Sequence, residues 1–191
     1  GKIIVLEDDL VVSPEFLSYM NHFLEVYKNE DKVISIHGYV YPVKTHISTP
    51  FFIRGADCWG WATWKRGWDL FESDSEKLYK QIATNKKWAD KFDFEGTYPY
   101  LKMLKDQTDG KIDSWAIRWY ASAFLNDKIT LYPPATLVDN IGMDGSGIHS
   151  GKNLMFAKET DNIRDIQLHE KPNRVVESRK MVLGFEEFFR N

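Results

Sequence analysis

Apolar residues along this chain fall into two kinds of grouping, short β-branched runs and longer stretches spaced at three and four residues. The first run, Lys2-Ile3-Ile4-Val5-Leu6, predicts a strand over residues 2–6, buried on both faces inside a largely parallel sheet. Ser13 and Pro14 suit the cap and first turn of a helix over 14–28, where Phe16, Met20, Phe23, Leu24 and Tyr27 share one face. Val33-Ile34-Ser35-Ile36 predicts a second strand, and residues 42–50, which lack periodicity, a loop. Phe51-Phe52-Ile53 gives a third strand. Trp61, Trp64 and Trp68 fall at helical spacing and predict the buried stripe of a helix.

Residues 72–112 read as polar helices anchored by Leu78, Ile82, Trp88, Phe92, Tyr98, Leu101 and Leu104. Gly96 and Pro99 mark a break there and Asp109-Gly110 a turn, while the charges, Lys86-Lys87 included, form a solvated face. Ser114 predicts the cap of a helix that buries Trp115, Ala116, Trp119, Tyr120 and Ala123. Residues 129–132 and 135–140 supply the last strands, and Val182, Phe185, Phe188 and Phe189 a C-terminal stripe that docks on the domain. The order is α/β, with strands at 2–6, 33–37, 51–53 and 130–140 under amphipathic helices.

Composition narrows the reading. At 191 residues and 43% hydrophobic the chain predicts a single domain, 1–191, with a sizeable core. A net charge of -3 supplies no basic patch, so nucleic acid is not an expected partner. The single cysteine, Cys58, precludes an internal disulfide and fits a reducing, cytoplasmic setting. No apolar run is long enough to span a bilayer, although attachment at a membrane through a neighbouring segment stays open.

The candidate chemistry begins with Glu7-Asp8-Asp9, three consecutive carboxylates at the C-terminal end of an apolar strand. Adjacent anions repel, and a divalent cation or a set of N–H groups is the economical balance. Strand C-terminal ends are also where open α/β sheets bind ligands. Trp59, beside Gly60 in the Trp-rich stretch, is a ring that could stack on a sugar, with Gly60 letting a ligand approach the backbone. Asp113 stands just before the Ser114 cap, near the positive end of a helix dipole. Residues 141–151 are Gly-rich and contain Ser146 and His149. His37 and His46 have no partner at metal-ligand spacing and read as structural histidines.

Four strings resemble the GT-A glycosyltransferases, most closely the N-acetylglucosaminyltransferase I-like group and bacterial sugar transferases akin to it. They are Glu7-Asp8-Asp9, a DXD-type motif; Arg54-Gly55-Ala56-Asp57-Cys58-Trp59-Gly60; Asp113-Ser114-Trp115, where the related pattern is Asp-Asp-Trp; and the Gly-x-His loop around His149. They occur in the same order over residues 1 to about 157. The resemblance implies a partial GT-A, Rossmann-like mixed sheet flanked by helices, the C-terminal portion of a transferase without its N-terminal nucleotide-binding strands.

It implies inverting transfer of a sugar from a nucleoside-diphosphate sugar to a carbohydrate or other hydroxyl acceptor. In it Asp9 ligates Mn²⁺ or Mg²⁺, Glu7 and Asp8 serve the ribose or the ion's water shell, and Asp113 is the base. Trp59 and Gly60 would line the sugar site, and Ser146 and His149 would hold the diphosphate, His149 alternatively the metal. An exposed edge at residues 2–6 would drive self-association or pairing with a missing N-terminal half. Two other classes stay open: a non-catalytic remnant that binds carbohydrate or a partner chain, and a metal-dependent phosphotransferase, for which a second acidic cluster is expected.

Overall fold

The computed structural model describes residues 1–144 and 167–191. Its five-stranded sheet is built around β3 (Val33–His37), buried at every position. The other strands are β1 (Lys2–Val5), β4 (Phe51–Arg54), β5 (Trp61–Trp64) and β6 (Ile129–Tyr132), in the order β1-β5-β3-β6-β4. β3 and β6 are parallel, whereas β5 lies antiparallel between β1 and β3, and β4 antiparallel to β6. A two-stranded ladder of β2 (Leu10–Val12) and β7 (Val138–Asn140) stands apart, and a 3₁₀ turn over Ile141–Asp144 follows it. The helices are α1 (Phe16–Val26), α2 (Lys65–Trp68), α3 (Ser75–Ala83), α4 (Lys86–Phe92), α5 (Tyr100–Thr108), α6 (Trp115–Leu125) and α7 (Arg179–Arg190). The fold is thus a mixed sheet with flanking helices, α/β as the periodicity predicts.

β1 departs from expectation. It is an edge strand in an antiparallel pair, and Ile3 is 57% exposed, so it is not the doubly buried parallel strand that its composition suggests. The reason is β5. Trp61-Ala62-Thr63-Trp64 inserts between β1 and β3, and the helix expected from the Trp spacing is confined to α2. Along a strand, residues three apart point to opposite faces. Trp61 accordingly packs with Trp115, Trp68 and Trp119, while Trp64 donates from its indole N–H to the Leu24 carbonyl of α1 at 3.1 Å. Burial of two indoles on two faces of a central strand overrides the local helical pattern.

α1 buries Phe16, Tyr19, Met20, Phe23 and Leu24. Ser13 does not cap it: the N-cap is Glu15, with no side-chain cap bond, and Ser13 Oγ is buried without a partner among the described residues. Arg66 closes the other end of α1, donating to the carbonyls of Tyr27 and Val33 at 2.9 Å each and lying over the Trp64 ring. Ser114 does cap α6, accepting the Ile117 N–H at 3.3 Å. Two buried hydroxyls of the sheet are satisfied internally, Ser35 with Thr130 at 2.6 Å and Thr130 with the Gly55 carbonyl at 2.7 Å. α7 buries Val182, Phe185 and Phe189, as its stripe predicts. The segment before it seals the β4 edge, Ser178 N–H donating to Phe52 O and Glu177 accepting Arg54 N–H. Among the described residues no helix is long and apolar enough to cross a membrane.

Candidate functional site

β1, β3 and β6 run in one direction, and their C-terminal ends form a row across the sheet. Val5 pairs with Trp61, Trp61 with His37, and Phe51 with Tyr132. This is the end at which open α/β sheets gather ligands. The acidic triplet leaves from it. Leu10 N–H donates to Glu7 O at 3.3 Å, closing a turn with Asp8 and Asp9 at its tip. The β2–β7 ladder, which the periodicity does not reveal, then draws residues 140–142 to that turn, and Ile141 N–H donates to the Asp9 carbonyl at 3.0 Å.

The Asp9 carboxylate lies against Gly142, where a Cβ would meet Oδ2 at 2.5 Å. Asp9 Oδ1 is buried and has no hydrogen-bond partner among the described residues. A buried carboxylate oxygen without a donor is unfavourable by about 1–3 kcal/mol or more. A cation at that oxygen would remove the penalty. Among the described residues no three His, Cys, Asp or Glu side chains group to hold a metal ion. An ion bound at Asp9 would therefore complete its oxygen shell from ligand and water.

Electrostatics tie a fourth acid to the triplet. The Glu7 carboxyl is pushed above its usual range by burial first, then by the charges of Asp9, Asp57 and Asp8. Burial first, then the charges of Asp57, Glu7 and Asp9, push the Cys58 thiol well up. Among the described residues no lysine or arginine forms an ion pair with Glu7, Asp8, Asp9 or Asp57, whereas fifteen ion pairs form elsewhere. Asp57 leaves the β4–β5 loop at the same end of the sheet. Its Oδ2 accepts from Tyr41 at 3.2 Å and Tyr132 at 3.4 Å, and its Oδ1 from Cys58 N–H at 2.8 Å.

Trp59 is half-buried, with its ring edge-on to Tyr39 at 4.7 Å. Gly60 has a different role from the one expected. It is buried at φ +62°, and a Cβ there would meet Val138 at 2.6 Å and Phe16 at 3.1 Å, so the glycine serves backbone and packing and not ligand approach. A Cβ there would also come within 3.5 Å of Leu6, the residue before Glu7. Asp113 lies just before α6, whose Trp115 stacks on Trp61 at 5.7 Å and brings this helix start to the same end of the sheet. Its side chain is 93% exposed, with Arg118 at 3.6 Å. Ser146 and His149 lie outside the described residues.

The structure thus brings Glu7, Asp8, Asp9, Asp57 and Trp59 to one end of the sheet, with Asp113 at its border. The sequence carries no signal for Tyr41, Tyr132 and Gly142 at this site, because they gain their neighbours through contacts distant in the chain. Compared with known proteins, the chain matches no family model and no curated protein.

Proposed function

We propose that this chain carries the metal- and sugar-handling part of a GT-A glycosyltransferase that moves a sugar, with inversion, from a nucleoside-diphosphate sugar to an acceptor hydroxyl. The observation that carries the reading is Asp9, with a buried, unpartnered carboxylate oxygen in an acidic turn at the C-terminal end of an apolar strand. Mn²⁺ or Mg²⁺ held by Asp9 would neutralise charge on the leaving diphosphate. Glu7 and Asp8 flank it and would serve the ribose. The antiparallel β5 beside the acid-bearing strand, followed by β3 and β6, suits the reading, and so does the outer edge of β1, which no described residue pairs. Nucleotide-binding strands would add at that edge.

In the transfer the acceptor oxygen bonds to the anomeric carbon as the bond to the diphosphate breaks, and a carboxylate takes the hydroxyl proton. An alcohol loses its proton late in such a step, so an ionised carboxylate suffices. Asp113, at the α6 start, is assigned this role by its resemblance to the Asp-Asp-Trp pattern. Titration of the chain with Mn²⁺ in the presence and absence of UDP tests the reading. Metal binding that requires UDP and is lost in Asp9→Ala supports it; equal binding by wild type and Asp9→Ala overturns it.

A further inference from the structure

A second unbalanced carboxylate lies apart from the acidic turn. Where Arg54 of β4 pairs with Ile129 at the start of β6, the sheet is at the end opposite to Tyr132 and the acids. A cavity of about 260 Å³ reaches Arg54 there, enclosed by α7, α6 and the turn after α4. Arg179, Val182 and Glu186 recur at three and four residues along α7 and share the face that lines it. Glu186 is the buried charge among them. Its side chain is 5% exposed, and Oε2 lies 3.6 Å from the exposed Arg190. Oε1 is buried without a hydrogen-bond partner among the described residues. A carboxylate oxygen left so is unfavourable, and native interiors hold few of them.

The rest of the lining is apolar within and charged at the mouth. Phe94, Tyr120, Phe124 and Val182 are buried and form the wall. Tyr120 is fixed by its hydroxyl, which donates to the Phe92 carbonyl at 2.9 Å. Phe94 and Glu95 close the α4 side in left-handed backbone, at φ +48° and +55°, a conformation that persists only where its surroundings enforce it. Arg54 is committed elsewhere: it donates to the Phe124 carbonyl at 2.9 Å, lies over the Phe124 ring and pairs with Asp127. Glu177 is committed as well, to Arg54 N–H. Lys91 and Arg179 are exposed and form no ion pair among the described residues.

The buried carboxylate asks for a cationic donor, the two free cations at the mouth for an anion, and the wall between them for methylenes. Arg179 and Glu186 stand seven residues apart on α7, roughly 10 Å along its axis. The two charges of a matching ligand are therefore well separated, as those of an α-amino acid are not. We infer that the cavity binds a small ω-amino acid, its ammonium on Glu186, its carboxylate at Arg179 and Lys91, and its methylenes against Phe94, Tyr120 and Phe124. A simple amine leaves the mouth cations unpaired, and a simple carboxylate leaves Glu186 unpaired. The volume is below that usual for drug-sized ligands and restricts the site to a short chain. The inference stands apart from the transferase reading, because none of these residues belongs to the acidic turn.

The test is an amide chemical-shift titration of the full chain with three probes of similar length: 6-aminohexanoate, hexylammonium and hexanoate. 6-Aminohexanoate is expected to shift amides of α7 and of the turn after α4, and to bind about tenfold more tightly than either singly charged probe. Its affinity should fall about tenfold in Glu186→Gln, which keeps the shape and removes the charge. A smaller loss is expected in Arg179→Gln, an exposed change that leaves the core intact. Amide dispersion verifies folding, and Arg179→Gln decides alone if Glu186→Gln fails to fold. No saturable shift with 6-aminohexanoate, equal binding of either singly charged probe, or undiminished affinity in a folded variant overturns the inference.

Discussion

Two populations of carboxylates occupy this molecule and are handled in opposite ways. On the outer faces of α3, α4 and α5, acids and lysines alternate at four-residue spacing: Glu76 with Lys80, Asp90 with Lys86, Asp106 with Lys102 and Asp109 with Lys105. Hydrogen bonds from those lysines hold Asp106 and Asp109 below the usual carboxylate range. At the C-terminal end of the sheet, Glu7 is pushed up by burial and by neighbouring acids. A surface designed only for solvation neutralises its charge locally. No lysine or arginine among the described residues pairs with the acidic turn, and that contrast is what the proposed cation would answer.

Asp113 tests the boundary between the two populations, and its substitution should have the largest effect. By position it belongs to the site; by exposure and its pairing with Arg118 it resembles the surface acids. In an active form of the protein, Asp113→Asn should cut turnover by about 10²-fold or more while donor KM stays nearly constant. Retained turnover would place Asp113 with the surface acids and make Asp57 the next base to test.

A smaller effect is expected from glycine. Gly60→Ala places a Cβ into Val138 at positive φ and should destabilise the fold by about 1–3 kcal/mol, measured by denaturant unfolding. Unchanged stability in Gly60→Ala would show that the site end of the sheet is more plastic than its packing indicates.

The opposite pKa directions give opposite pH dependences. A carboxyl whose folded pKa lies above its unfolded value favours the folded state in its protonated form, so its contribution to stability falls as pH rises from the unfolded carboxylate range through the folded pKa. Glu7→Gln should therefore raise the melting temperature at pH 7 relative to wild type, and the two should converge below the carboxylate range. Asp106 and Asp109 act in the reverse sense, adding stability above the unfolded carboxylate range that is lost as pH falls through their lowered pKa values. Lys86→Ala, which breaks one exposed pair, should change stability by no more than about 0.5 kcal/mol.

Much of this contrast was legible in the residues themselves. The acidic triplet after an apolar run, the α1 face, the Ser114 cap and the solvated charges of 72–112 all express local chemistry, and local chemistry survives folding. What was not legible depends on partners remote in sequence. The strand over Trp61–Trp64 follows from insertion between β1 and β3, against a spacing that fits a helix equally well. The exposure of Ile3 follows from β1 standing at an edge. The site role of Asp57 becomes visible only when Tyr41 and Tyr132, residues of two other segments, close upon it.

The most direct test of the acidic turn as a cation site is calorimetric titration of the chain with Mn²⁺, with and without UDP, for wild type, Asp9→Ala and Lys86→Ala. The account expects UDP-dependent metal binding in wild type and Lys86→Ala and its loss in Asp9→Ala. Metal binding that is indifferent to Asp9, or that wild type fails to show even with UDP, would contradict it.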